Sequence, residues 1–275
     1  MKKIFITLGL IMLFLPHIQA HDKELTVATP RLRLGIEAGA DVFFGQQNKH
    51  PKIRENQSIY FYNDYYDYDF YCGFIPDVKD FSFFYLGIKP EYLIHKRLAI
   101  ATGVRFSYSQ FTFDSDKEYF LWKIREDETN TSYVKIKDIT QKSYFFGVPV
   151  EIKFFPREED YPVRHYFILG AAMNFLMESS REISFKNASM NKYSSDISEQ
   201  IETNDFQGYI YAGFGLKIGK TNRPFGNIEW HFPISMYGRD KHNSLIKTKD
   251  AFGFGFQASL QIPIFTKHQL VYKVY

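Results

Sequence analysis

Three side chains with the chemistry of a hydrolase lie close together near residue 230. Glu229, His231 and Ser235 all have odd numbers, so they share one face of a predicted strand. An acid, a base and a nucleophile of these types cleave acyl esters in some enzymes. However, His231 and Ser235 are four residues apart, which is roughly 13 Å at the rise of a strand and too far for a hydrogen bond. We therefore predict that the protein is not an enzyme and that these side chains belong to a network of ions.

The most unusual stretch is 60–74, with the sequence YFYNDYYDYDFYCGF. Its tyrosines are candidates for a recognition surface, since such rings stack on sugars and anchor partner proteins. The candidates are Tyr62, Tyr65, Tyr66 and Tyr68, together with Trp122 farther along the chain. An alternative is that this stretch extends neighbouring strands and places its tyrosines in an aromatic belt at a membrane surface.

The same stretch carries three aspartates that could supply oxygen ligands to a cation. Asp64, Asp67 and Asp69 lie within six residues, but the glycine turn and bidentate glutamate of an EF-hand are missing. We therefore predict no metal site and no cofactor. Cys72 is the one cysteine, which excludes an internal disulfide framework and a multi-cysteine metal site.

The composition excludes several further classes of protein. Lys and Arg number 34 against 31 Asp and Glu, so the net charge is +3, too small for the basic face of a nucleic-acid binder. Hydrophobic residues make up 45% of the chain, which is not typical of a disordered protein. Aromatic residues reach 19%, a bias that favours strands over helices.

Residues 1–20 have the pattern of a secretory signal peptide. Lys2 and Lys3 precede an apolar stretch over 4–15, and Ala20 offers a small residue for cleavage. A membrane-anchoring helix is the alternative, but the apolar run is shorter than the ~20 residues that a span needs. We expect residues 21–275 to form the exported protein, as a single domain.

Eight segments alternate with a period of two, which is typical of strands. They are 31–44, 81–94, 98–113, 143–155, 164–177, 206–219, 225–236 and 251–265. One parity is apolar, as in Leu32, Leu34 and Ile36, whereas the other carries glycines and ions. We predict that the ions form a structural network made of Arg33, Glu37, Lys89, Glu91, Arg105, Glu151, Lys153, Lys217, Glu229 and His231.

Two β architectures fit this contrast between the faces. A soluble barrel buries its large apolar side chains, whereas a membrane barrel turns them toward lipid and keeps polar groups in its lumen. Glycines on the ionic parity favour the membrane barrel, because on a solvated outer face they would only weaken the strands. In a crowded lumen they would leave room for long ionic side chains.

Long and short connections alternate between the predicted strands. The long ones are 45–80, 114–142, 178–205 and 237–250, and the short ones are 95–97, 156–163 and 220–224. Membrane barrels sort short turns to the periplasmic side and long loops to the outer side. We expect 114–142 to be a solvated hairpin, 178–205 a mobile outer loop, and 266–275 a periplasmic tail.

Two segments resemble a known family. Residues 83–106, FFYLGIKPEYLIHKRLAIATGVRF, resemble a hairpin of PorT-like (OmpA-like) outer-membrane β-barrel proteins, and 143–156, SYFFGVPVEIKFFP, resemble that family's ΦEIPΦΦΦKΦ strand. The resemblance implies an outer-membrane barrel, with outer-membrane lipid and the barrel assembly machinery as partners. One branch of the family assists protein secretion. The chain departs from the pattern at its end, because ten residues follow Phe265.

Together these observations predict an eight-stranded antiparallel up-and-down transmembrane β-barrel in a bacterial outer membrane. Eight strands leave a lumen filled by side chains, so an open porin is not expected. The leading functional hypothesis is a non-enzymatic surface protein whose long loops bind a protein or glycan partner. An accessory role in transport or protein secretion is the first alternative, and a lipid or acyl hydrolase that uses His231 is the second.

Overall fold

The computed structural model describes residues 31–48, 50–54, 78–114, 118–126, 131–158 and 161–264. These residues form one antiparallel sheet, which confirms the predicted all-β antiparallel fold. Its strands are β1 (Leu32–Gln47), β2 (Ile53–Arg54), β3 (Val78–Ile88), β4 (Glu91–His95), β5 (Leu98–Thr102), β6 (Val104–Asp114), β7 (Phe120–Glu126), β8 (Thr131–Phe154), β9 (Val163–Phe185), β10 (Phe206–Ile218), β11 (Phe225–Gly238) and β12 (Ile246–Ile264). Each of the eight predicted strands has a counterpart among them.

The strands pair mainly with their neighbours in the chain. β1 pairs with β3 and β4, β3 with β6, and both β5 and β6 with β8. The order then runs from β8 through β9, β10 and β11 to β12. β12 pairs in turn with β1, in a register that runs from Leu32↔Ile264 to Phe44↔Phe252. Neither β1 nor β12 therefore presents a free edge over this register.

Apart from β2 and β7, the strands have one exposed apolar face and one buried face. Leu86 is 61% exposed, whereas Lys89, three residues farther along the chain, is 0% exposed. The same contrast holds on β8, where Val150 and Ile152 are exposed and Glu151 is fully buried. This is the reverse of a soluble barrel, which buries its large apolar side chains. The predicted apolar parity is therefore the exposed one.

The band of exposed apolar side chains has the height of a membrane core. On β8 it runs from Tyr144 to Ile152, which is 9 residues. A tilted strand needs ~9–11 residues to cross a bilayer. On β9 the band ends at Met177, next to a shift in the register between β8 and β9. Beyond this level the exposed side chains of both strands are polar.

Above the band, the chain forms a folded cap instead of loose loops. We define the cap as residues 50–54, which include β2, together with β7, residues 131–142 of β8, residues 178–185 of β9, and two helices. These are a 3-10 helix, Ala188–Tyr193, and α1, Ser194–Gln200. In the described residues neither helix approaches the length that a membrane span requires.

The cap corrects two of the loop predictions. The segment 114–142 does contain a hairpin, formed by β7 and β8, but the hairpin is not simply solvated. Phe120, Trp122 and Ile136 are buried in it. The segment 178–205 is not a mobile loop, because β9 continues to Phe185 and Ile197 of α1 is fully buried. Alternation of large apolar residues continues only weakly past the band, so the local pattern does not distinguish these strands from loops.

Three predictions fall outside the described residues. They are the signal peptide 1–20, the aromatic stretch 60–74 with Tyr62, Tyr65, Tyr66, Tyr68 and Cys72, and the tail 266–275.

Candidate functional site

The buried face of the sheet gathers the ions that the sequence assigned to one parity. All ten predicted network residues are at least nine-tenths buried. With Asp41 and Arg164, which are also buried, six bases lie on this face with five acids, leaving His231 aside. The bases are Arg33, Lys89, Arg105, Lys153, Arg164 and Lys217, and the acids are Glu37, Asp41, Glu91, Glu151 and Glu229. Formal charge is therefore nearly balanced within the buried face.

Two lysines hold the centre of this network. The Nζ atom of Lys89 lies 2.9 Å from a carboxylate oxygen of Glu37 and 2.8 Å from one of Glu151. The Nζ atom of Lys153 donates to Glu229 at 2.6 Å and lies 3.2 Å from Glu91. Each ammonium is thus shared between carboxylates from different strands, so the network ties the strands together across the interior.

Two arginines extend the network toward both ends. The guanidinium of Arg105 donates to Glu37, to Glu151 at 3.3 Å and to Gln257 at 2.8 Å. Arg33 donates to Glu91. Because a buried ion without partners costs several kcal/mol, these contacts are what makes the charged interior tolerable.

Four tyrosines complete the network, and sequence reasoning missed them. The hydroxyl of Tyr166 donates to Glu229 at 2.6 Å, that of Tyr211 to Glu151 at 2.8 Å, and that of Tyr209 to Asp41 at 2.6 Å. Tyr85 donates to Gln257 at 3.1 Å. These tyrosines have the same strand parity as nearby lysines and glycines, and this parity is the sequence signal that could have identified them.

Some glycines of the buried face make room for these rings. A Cβ atom on Gly170 would meet the ring of Tyr211, and one on Gly215 would meet the ring of Tyr166. The prediction that glycines accommodate long ionic side chains applies more directly to Gly87, where a Cβ would lie 3.0 Å from the Cγ of Arg105 and 3.1 Å from Glu37.

The predicted acid, base and nucleophile are not assembled into a triad. The Nε2 atom of His231 lies 3.4 Å from Glu229, and its Nδ1 atom lies 3.9 Å from Asp41. Its ring packs against Tyr211 at 4.7 Å and is 1% exposed. In the described residues no hydrogen bond joins His231 to Ser235. His231 is therefore placed as a member of the ion network.

One group on this face has the composition of a metal site. Ligand atoms of Glu151, Glu229 and His231 lie within 4.8 Å of one another. However, Lys89 donates to Glu151 at 2.9 and 2.8 Å and to Glu229 at 3.4 Å. A metal ion would have to displace this ammonium and that of its neighbour Lys153. The two carboxylates and the imidazole therefore fit an ion-pair network better than a metal site.

Nearer the cap, the buried face is aromatic, which corrects the expectation of a small or charged surface. Phe43 stacks on Phe81 at 5.3 Å and meets Phe83 edge to face at 5.6 Å. Phe83 in turn contacts Phe145 at 5.6 Å, and Phe43 contacts Tyr209 at 5.0 Å. Close-packed rings need no ionic partners, so they fill this level at lower cost than charges would.

A polar node joins three segments of the cap. The ring of His50, just after β1, stacks on Trp122 of β7 at 4.5 Å. The side-chain oxygen of Gln200, the last residue of α1, accepts hydrogen bonds from Lys52 at 2.8 Å and from Trp122 at 3.3 Å. Trp122 is 0% exposed, so the prediction that it offers a surface for recognition is wrong. It is instead part of the cap's core.

The exposed face carries aromatic pairs and a shallow apolar groove. Phe214 stacks on Trp230 at 5.1 Å, and Trp230 meets Phe256 edge to face at 5.8 Å. The groove, about 400 Å³, is lined by Leu86, Val104 and other apolar residues of β1, β3, β6 and β8. Large side chains that pack only along the outside of a sheet need an apolar environment beyond the protein.

The fold is similar to those of several solved outer-membrane proteins. The N-terminal β-barrel domain of Pseudomonas aeruginosa OprF has 11% identity and a TM-score of 0.31, covering 84% of this chain and 97% of that one. Ail, the attachment invasion locus protein of Yersinia pestis, has 11% identity and a TM-score of 0.31, with 85% and 98% covered. OprG of Pseudomonas aeruginosa has 8% identity and a TM-score of 0.37, with 86% and 96% covered.

No protein-family model matches the chain, and no curated protein matches it in sequence. The resemblance to PorT-like or OmpA-like proteins therefore stays a prediction. Because the structural similarities are loose, the membrane assignment below rests on the side chains of this chain.

Proposed function

We propose that the protein is a closed eight-stranded β-barrel of a bacterial outer membrane, without enzymatic activity, which presents a folded cap for a protein or glycan partner. The observation that carries the proposal is the inverted distribution of side chains. Leu86 and Phe84 are exposed at mid-strand, whereas Lys89, Glu151 and Glu229 are fully buried. Acyl chains are the environment that such a surface requires.

The strand ends support an orientation in this membrane. The first and last described strands end together, at Leu32 and Ile264, on the side of the short connections 155–162 and 219–224. Bacterial barrels place their short turns in the periplasm. The cap at the opposite ends of β8 and β9 then faces the cell exterior, where a partner can reach it.

The filled interior supports a role as an anchor, not as a channel. Salt bridges cross the lower half of the interior, and the packed rings of Phe43, Phe83 and Phe145 occupy the level above them. A solute would have to break several buried ion pairs to pass. We therefore expect the protein in planar bilayers to give no stable conductance, and a steady open level comparable to that of a porin would contradict this.

Membrane fractionation tests the barrel itself. We expect the protein to sediment with outer-membrane vesicles and, in SDS gels, to migrate differently before and after boiling. A protein that stays in the soluble fraction without detergent would overturn the proposal.

Cap replacement tests the surface role. Exchanging residues 116–136 and 186–200 for short turns should abolish binding to host cells, matrix or glycan arrays while heat-modifiable migration is retained. Unchanged binding would remove the recognition hypothesis. Loss of secreted cargo in a strain lacking the protein, restored by the cap-replaced variant, would favour the secretion-accessory alternative.

A further inference from the structure

His50 occupies a position in the cap that only a neutral imidazole satisfies. Its Nδ1 atom accepts a hydrogen bond from the backbone N–H of Lys52 at 3.2 Å, and its Nε2 atom lies 3.3 Å from the backbone oxygen of Gln200. A carbonyl oxygen can only accept, so Nε2 must carry the proton. One ring thus bonds the chain that follows β1 to the end of α1, and its face packs on Trp122.

The segment that contains His50 also contacts β7. The backbone oxygen of Lys52 accepts a hydrogen bond from the N–H of Lys123 at 2.9 Å, and Ile53 and Arg54 pair with Trp122 and Leu121. The position of Lys52 therefore decides whether β2 stays on the edge of β7. Loss of the hydrogen bond at the Nδ1 atom of His50 would therefore affect the pairing of β2 with β7 through Lys52 alone.

Protonation of the ring would break this arrangement on one side only. A protonated Nδ1 is a donor, and it cannot face the N–H of Lys52. The bond from Nε2 to Gln200 would survive. Among the described residues, the charged or titratable neighbours are Lys52 on the same segment, His242 on the β11–β12 connection, and Glu202 after α1. Lys52 and His242 disfavour a positive ring, whereas Glu202 favours it.

We propose that His50 is an acid-sensitive latch, whose protonation releases the segment 50–54 from β7 and exposes Trp122 at the outer surface of the cap. The barrel below is not involved, because none of the contacts of the latch reaches the band of apolar side chains. The proposal concerns a conformational change, and it does not depend on whether the cap binds a protein or a glycan.

Burial lowers the pKa of His50 below its ordinary value of 6.5, and the nearby Lys52 and His242 lower it further, against the backbone hydrogen bond to Gln200 and the charge of Glu202. A histidine with a lowered pKa binds its proton more readily when the latch is open. The latch is therefore fully closed above about pH 6.5 and loses stability as the pH falls below that value.

The two tryptophans of the chain make the latch observable. Trp230→Phe removes the one on the lipid side and leaves Trp122 as the reporter. In this background we expect Trp122 emission to shift to longer wavelength between pH 8 and pH 5. Exchange of the amides of Lys52 and Lys123, corrected for its intrinsic pH dependence, should accelerate by about tenfold for each unit by which the pKa is lowered.

His50→Asn removes the titrating ring. The side-chain oxygen of the asparagine can still accept the hydrogen bond from the backbone N–H of Lys52. It should keep Trp122 buried at both pH values. His95→Asn is the matched control, since His95 accepts the N–H of Arg97 in the same two-residue pattern but is exposed and lies at the opposite end of the strands. The control should respond to pH like the parent.

Several outcomes would overturn the latch. They are an unchanged Trp122 signal in the parent down to pH 5, and an undiminished pH response in His50→Asn. If His50→Asn already exposes Trp122 at pH 8, the test is the His50→Arg variant, whose side chain is permanently charged. A Trp122 that stays buried in that variant contradicts the proposal. Heat-modifiable migration of every variant confirms that the barrel itself is folded.

Discussion

At the scale of single residues, the buried carboxylates link side chains from several strands. Glu229 accepts from Lys153, Tyr166 and Gln257, each at 2.6 Å, and is 0% exposed. These partners come from three strands, β8, β9 and β12, whereas Glu229 lies on β11. A charge of this kind is expensive to bury and still more expensive to leave without its partners.

Glu229→Gln should therefore destabilise the barrel by about 3–5 kcal/mol, since it leaves the ammonium of Lys153 with one carboxylate fewer. Urea unfolding of the protein in detergent or lipid vesicles measures this loss. Glu182→Gln is the matched control, because Glu182 is exposed and its pair with Lys142 lies in the cap. It should leave the unfolding midpoint unchanged. Equal effects of the two substitutions would contradict a buried network.

At the scale of elements, β8 and β9 have two parts with different roles. Their lower parts belong to the apolar band, and residues 131–142 and 178–185 continue as a ribbon roughly 25–40 Å long at the rise of a strand. A two-stranded ribbon is marginally stable by itself. Here the buried side chains of β7 and α1, above all Trp122 and Ile197, supply the packing that holds it.

Trp122→Ala should therefore unfold the cap without unfolding the barrel. A large aromatic side chain removed from a core costs about 3–5 kcal/mol. We expect limited proteolysis to cleave the variant within 118–136 while heat-modifiable migration stays as in the parent. Trp230→Phe, on the exposed apolar face, serves as the control and should leave the cap resistant to protease. Loss of the barrel in Trp122→Ala would mean that the two parts do not fold separately.

At the scale of the whole molecule, the proposal depends on what surrounds the apolar band. Leu169, near the middle of the band on β9, is 43% exposed. In water, an arginine at such a position would cost almost nothing. At the midplane of a bilayer it costs about 2–4 kcal/mol.

Leu169→Arg thus distinguishes the two environments. We expect it to lower the free energy of unfolding in lipid vesicles by that amount and to reduce assembly into the outer membrane. Ser132→Arg, at an exposed position of the cap, should have no effect on either measurement. A Leu169→Arg variant as stable as the parent would mean that this face contacts water. It would refute the proposal that the exposed apolar side chains face lipid.

Local pattern was sufficient for the strands and for the ionic face. Alternation places Leu32 and Leu34 on one side and Arg33 on the other whatever the partner strands are, because successive side chains of a strand point to opposite faces. Seven of the eight segments have an unambiguous parity, and the ten ionic residues could be read from it. Composition alone predicted that the chain does not bind nucleic acid, and its single cysteine excluded an internal disulfide framework.

Which of these residues meet was decided by the tertiary structure. Lys89 and Glu229 are 140 residues apart, and only the register of intervening strands brings Lys89 within 3.4 Å of that carboxylate. The aromatic level and the cap were missed for the same reason. Parity places Phe43 and Phe83 on the inward face with the ions, but whether a ring there packs on other rings depends on contacts distant in sequence. The same holds for Trp122, whose partners His50 and Gln200 come from other segments.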